Sequence, residues 1–156
     1  MLILSDSIYR QVGVPVEKTR TKNQPPIYRS FTLGNGQFTC LKVVIPGSDT
    51  ARLLEEASVI NKNYEFSEII LGVGANYIPN DHPRSYRPSF MYTAFSEITS
   101  FLESIRSLFD TDVTFSPILP QRSSPRGAIR KLNLQIREFC DKNYLKGLFP
   151  LETQSF

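Results

Sequence analysis

The chain has 156 residues, a net charge of +3, and 40% hydrophobic against 21% charged residues. That balance excludes a disordered chain, and the length fits one domain that buries about two-thirds of its unfolded surface. The apolar runs fall far short of the roughly 20 residues a bilayer span requires, so no membrane is expected among the partners.

Met1-Leu2-Ile3-Leu4 reads as a short buried strand. It has no basic region before it and is too short for a secretory core. Residues 14–36 hold Pro15, Pro25, Pro26, Gly34 and Gly36, the composition of a loop or an irregular hairpin. Phe38 to Ile45 is rich in β-branched and aromatic residues and predicts a second strand, broken by Pro46-Gly47. Ser48 or Asp49 then caps a helix over residues 50–61, with Leu53, Leu54, Ala57 and Ile60 as its apolar stripe. Glu68 to Val73 predicts a third strand, and its unbroken apolar run suits cover on both faces.

Residues 75–89 read as a long loop. Phe90, Ala94, Phe95, Ile98, Phe101, Leu102, Ile105 and Leu108 then recur at helical spacing over 90–109. Asp112 to Ile118 is a fourth strand, ended by Pro117 and Pro120. Residues 125–142 form a last helix on Ile129, Leu132, Ile136, Phe139 and Cys140, and Tyr144 to Phe149 offers a short fifth strand. Strands alternating with helices imply parallel strands joined by right-handed crossovers. The expected fold is therefore an α/β three-layer sandwich, helices on both faces of a parallel sheet of four or five strands, as a single domain over 1–156.

Charge is unevenly spread. Arg10, Lys18, Arg20, Lys22 and Arg29 face Glu17 alone near the start, and residues 121–146 carry a second basic group. The middle of the chain is acidic. Two solvated surfaces explain this most simply, and a footprint for nucleic acid is the sharper alternative. Cys40 and Cys140 lie far apart within apolar patterns and without metal-like spacing. They read as buried reduced thiols, which fits the cytoplasm or nucleus, with no metal or cofactor.

In an open parallel sheet, ligands bind beyond the carboxyl ends of the strands. Three turns fall there: Ser5-Asp6-Ser7, Pro46-Gly47-Ser48 and Gly74-Ala75-Asn76. Ser7 would open a helical turn, Ile8-Tyr9-Arg10, whose N–H groups favour negative charge. Gly47 lets a backbone N–H approach a ligand. The Asn76 amide can donate to a developing oxyanion, a contribution on the order of 3 kcal/mol in a transition state.

These blocks resemble the SGNH (GDSL-like) hydrolases. Ser5-Asp6-Ser7 differs from that family's Gly-Asp-Ser only in its first residue. Gly47 matches the glycine of the second block, and Gly74-Ala75-Asn76-Tyr77 matches Gly-x-Asn without the Asp that often follows. Val113 to Pro120, with Ile129-Arg130-Lys131-Leu132-Asn133, is similar to the later half of the esterase-like domains encoded by some LINE-type retroelements. The resemblance implies Ser7 as nucleophile toward a small acyl ester. It also implies an oxyanion hole of the Ser7 N–H, the Gly47 N–H and the Asn76 amide.

The family's last block, Asp-x-x-His, occurs nowhere in the chain. A serine hydroxyl without a base is a poor nucleophile. The base would then come from sequence beyond residue 156, or from His82, the lone histidine, in the loop after the third strand. As it stands, the chain is expected to hydrolyse esters hardly above background.

The alternative is a member that kept the fold, lost catalysis and binds nucleic acid or a protein. Plainer roles also stand beside each residue: Ser7 as a helix cap, Asp6 as a loop anchor, His82 as a solvated side chain. Tyr77, Tyr86 and Tyr92, among Arg84 and Arg87, either stack on bases or cover a rim. Arg126, Arg130 and Arg137 suit the solvent face of the last helix. Tyr144, Leu145, Leu148 and Phe149 call for cover, from further sequence or from a homodimer.

Overall fold

The computed structural model describes residues 1–6, 25–74, 77, 89–119 and 126–147. In chain order these form β1 (Leu2–Ser5), β2 (Ile27–Leu33), β3 (Phe38–Val44), α1 (Thr50–Asn63), β4 (Glu68–Gly72), α2 (Ser89–Phe109), β5 (Asp112–Phe115), α3 (Arg126–Lys142) and β6 (Lys146–Gly147). The strands make one six-stranded sheet in the order β2-β3-β1-β4-β5-β6. Every neighbouring pair is parallel except β2 with β3. The described residues thus form an α/β fold with a mostly parallel sheet and three helices.

The sheet has six strands rather than the expected four or five. The extra one is β2, inside the stretch read as a loop or irregular hairpin. Gly34, Asn35 and Gly36 all take positive φ, and Gln37 N–H closes the turn on the Gly34 carbonyl. Two glycines and an asparagine tolerate that left-handed run, so the chain reverses and Ile27–Leu33 pairs along all of β3. The fourth strand is also shorter than expected, ending at Phe115. At the far edge, β6 spans only Lys146–Gly147 among the described residues.

From β3 the chain steps to β4, β5 and β6 in one direction across the sheet. Right-handed crossovers put α1, α2 and α3 on one face, where α1 packs on α2 and α2 on α3. The buried residues of the stripes meet there: Leu53, Ala57 and Ile60 of α1, Ala94, Ile98, Leu102 and Ile105 of α2, and Ile129, Leu132 and Ile136 of α3. They close over Leu2, Leu4, Val43, Ile69, Leu71, Val113 and Phe115 of the strands. The three described helices all pack on this face.

The opposite face of the sheet carries Ile3, Cys40, Lys42 and Val44, all buried. Burial pushes the Lys42 amine below its ordinary value, and Arg29, its cross-strand partner on β2, adds to the shift.

Helix ends follow local chemistry. Asp49 caps α1 by accepting from Arg52 N–H at 2.9 Å, deciding between the two expected caps. The Arg106 guanidinium of α2 donates to the Asn143 carbonyl just past α3. Both cysteines are free and buried, as the apolar pattern implies.

Burial pushes the Cys140 thiol up to about 11, with the Asp141 carboxylate adding to it. The folded chain therefore holds this proton more tightly than the unfolded one. The resulting stability is present below the ordinary thiol value of 9.0 and is lost as pH climbs from there toward about 11. At pH 8, iodoacetamide is expected to leave Cys140 unmodified in the native chain and to modify it in guanidinium. Rapid native alkylation mapped to Cys140 by mass spectrometry would contradict this burial.

Candidate functional site

The five parallel strands point the same way, so their carboxyl ends form one rim. Ser5 pairs with Val44 on one side and Gly72 on the other, placing these three in one row. The ladder runs a step further: Ile45 N–H donates to the Ser5 carbonyl, Asp6 N–H to the Gly72 carbonyl, and Ser116 N–H to the Leu71 carbonyl. After β1 the chain leaves toward β3, and it later returns to β4 on the other side of β1. The order therefore reverses at β1, and the switch point lies between the ends of β1 and β4.

Asp6 sits at that switch point, 1% exposed. Its carboxylate accepts from Gly74 N–H at 3.2 Å, joining the turn after β1 to the turn after β4. Ser5 Oγ donates to the Gly72 carbonyl at 3.0 Å, one step deeper on the same strand pair. A glycine in place of Ser5 would lack that bond, so Ser5 gives a second tie between the strands.

Gly74 is held on its other side too. Its φ is +111°, and a Cβ there would lie 2.7 Å from Ile98 Cδ1 and 3.0 Å from Ile118 Cδ1. Ile118 in turn is fixed by Asn133 of α3, which accepts from the Ile118 N–H and donates to its carbonyl. One amide side chain thus satisfies both backbone groups of a residue beyond β5, as a neighbouring strand would.

On the other side of β1, Ile45-Pro46-Gly47-Ser48 forms a turn closed by Ser48 N–H on the Ile45 carbonyl. Gly47 has φ +71°, and a Cβ there would meet nothing within 4 Å. The glycine is needed here for its conformation, with open space around it. This turn leads straight into the start of α1.

The two turns are linked. Tyr77, at the end of Gly74-Ala75-Asn76-Tyr77, returns its N–H to the Gly74 carbonyl at 3.1 Å. Its hydroxyl accepts from Thr50 N–H at 3.2 Å and lies 3.0 Å from Thr50 Oγ1. Thr50 Oγ1 also reaches Glu97 Oε2 of α2 at 3.3 Å. The first N–H of α1, normally an orphan donor, is thereby satisfied by a phenol. Tyr77, read from sequence as a stacking or rim-covering ring, lies at this rim with its hydroxyl on the start of α1. Tyr92 stays exposed on α2.

Of the residues singled out from sequence, Gly47 lies on the described rim. Ser7, Asn76 and His82 lie outside the described residues, as do Asp81, Tyr86, Arg84, Arg87 and the helical turn Ile8-Tyr9-Arg10. Thr50, Glu97 and Asn133 have roles at the rim that no sequence pattern announced.

Among the described residues, no three His, Cys, Asp or Glu side chains gather as a metal site. No described helix is long and apolar enough to cross a membrane. A hollow lined by Tyr28, Val59, Ile60, Asn63 and Tyr64 sits against the C-terminal half of α1, with no nucleophile and base in its wall. Compared with known families and with curated proteins, the chain matches no family model and no curated protein.

Proposed function

We propose that this chain is an SGNH-type, hydrolase-like domain whose strand-end rim handles small acyl esters through Ser7. The observation that supports it most directly is the buried Asp6 carboxylate on Gly74 N–H. It draws the first and third motif turns together at the switch point, with the Pro46–Gly47 turn across β1. Counted without the antiparallel β2, the parallel strands run 2-1-3-4-5 in order of appearance, the flavodoxin-like arrangement. A three-layer α/β/α sandwich is the architecture that goes with this reading.

In this reading Ser7 Oγ attacks the ester carbonyl, the alcohol leaves, and water later releases the acid. The Ser7 N–H, Gly47 N–H and Asn76 amide stabilise the oxyanion. The Ser7 proton passes to a base from sequence beyond residue 156 or to His82, the one histidine among these 156 residues. Without a well-placed base, the oxyanion hole and binding alone leave residual catalysis of roughly 10³-fold over water.

The test is p-nitrophenyl butyrate hydrolysis together with labelling by a fluorophosphonate. Slow hydrolysis and Ser7 labelling, both lost in Ser7→Ala, are expected. Hydrolysis unchanged in Ser7→Ala would refute acyl transfer at Ser7. Absence of both signals in the wild type would leave the fold-retaining binding module.

A further inference from the structure

We propose that Tyr77 is a positioning residue whose hydroxyl, docked on Thr50, sets the Gly74–Tyr77 turn against the Pro46–Gly47 turn. Its chemical meaning rests on the acyl-transfer reading, because the two turns carry the donors assigned there to Asn76 and Gly47. Tyr77 follows Asn76 directly in the chain, and Thr50 lies at the first turn of α1, just past Gly47. The bond between them joins the turn after β4 to the start of α1.

The hydrogen bonds assign themselves in one direction. Thr50 N–H donates to Tyr77 Oη, so that oxygen is used as an acceptor. The Thr50 hydroxyl donates to Glu97 Oε2. The remaining proton is the phenolic one, which Tyr77 donates to Thr50 Oγ1. Each hydroxyl donates once, and three separate segments are drawn to one point: the turn after β4, the start of α1 and the middle of α2.

The opposite end of the same turn is pinned as well, through Gly74 N–H on Asp6. Gly74 and Tyr77, the two ends of this turn, are thus each tied to another element. The Tyr77 ring also packs partly buried against the core, so its apolar part and its hydroxyl have separable roles.

Tyr77→Phe separates them, since the ring stays and the latch goes. The measurement is fluorophosphonate labelling of Ser7 across probe concentrations, which yields probe affinity and the phosphonylation rate at saturation. In that step Ser7 Oγ bonds to phosphorus, the P–F bond breaks, fluoride leaves and the hydroxyl proton passes to solvent. Tyr77→Phe is expected to keep affinity within about twofold and to lower the saturating rate ~10-fold, the scale of one hydrogen bond. Thr50→Val added to it is expected to lower the rate no further.

A wild-type saturating rate in Tyr77→Phe overturns the inference, as does a loss of affinity with an unchanged rate. A wild-type chain unlabelled at Ser7 removes the acyl-transfer reading instead. The latch is then decided by amide exchange: a Thr50 N–H exchanging ~10-fold faster in Tyr77→Phe upholds it. Unchanged exchange overturns it.

Discussion

Gly74→Ala is expected to destabilise the chain by about 3–5 kcal/mol, combining overpacking of ~1–3 kcal/mol with backbone strain of similar size. The new methyl would meet Ile98 Cδ1 at 2.7 Å and Ile118 Cδ1 at 3.0 Å, at a φ of +111°. Neither isoleucine yields easily. Ile98 is fully buried in α2, and Ile118 has its backbone held by Asn133. Gly47→Ala is the matched control, because it shares positive φ but meets open space. It is expected to lose only about 1–2 kcal/mol, the left-handed penalty alone. Urea unfolding of both variants separates strain from close approach. Equal losses at the two glycines would show that nothing crowds Gly74.

Asp6→Ala is the second large effect. It removes a buried carboxylate and leaves Gly74 N–H without that acceptor, at about 2–3 kcal/mol. Asp6→Asn keeps a side-chain oxygen of the same reach and is expected to lose less, about 1 kcal/mol, the scale of one hydrogen bond. Fluorophosphonate labelling of Ser7 should fall further in Asp6→Ala than in Asp6→Asn, since only the former releases the turn after β4. Asp6→Ala within 0.5 kcal/mol of wild type, on the ~1 kcal/mol scale of one hydrogen bond, would mean the carboxylate does not join the turns.

The helices are legible in the sequence because burial repeats at their period. Ala94, Ile98, Phe101, Leu102 and Ile105 recur along one stripe, and every one is buried. The parallel strands are legible for a different reason. Ile69 to Val73 runs apolar without alternation, as a strand in the middle of a sheet does. β2 escapes as a strand because Pro25-Pro26 and Gly34-Asn35-Gly36 mark its two ends, and both look like loop. What lies between, Ile27 to Leu33, gains its pairing from β3 rather than from its own pattern.

The site is less legible still. Asp6 and its partner Gly74 are 68 residues apart, so no local window contains the bond. From sequence, Asp6 suggests a local anchor; the observed bond is between distant turns. Tyr77 is similar. A tyrosine among arginines invites a stacking role, while the fold gives its hydroxyl a helix start to cap. The motif residues mark which turns matter, and the ties between the turns come from topology.

The central place of β1 bears on how the chain comes to fold. On a ribosome, Leu2–Ser5 emerges long before β4, whose Gly72 pairs with Ser5. At roughly 5–20 residues per second, β1 waits on the order of several seconds for its second neighbour. The β2–β3 hairpin needs no such wait, since its pairing is local and forms on a scale of about 1–10 μs. It is ready early to offer β1 one partner. A nascent chain stalled before β4 would therefore present a three-stranded ribbon with β1 at its open edge, the species that a holdase chaperone would be expected to meet.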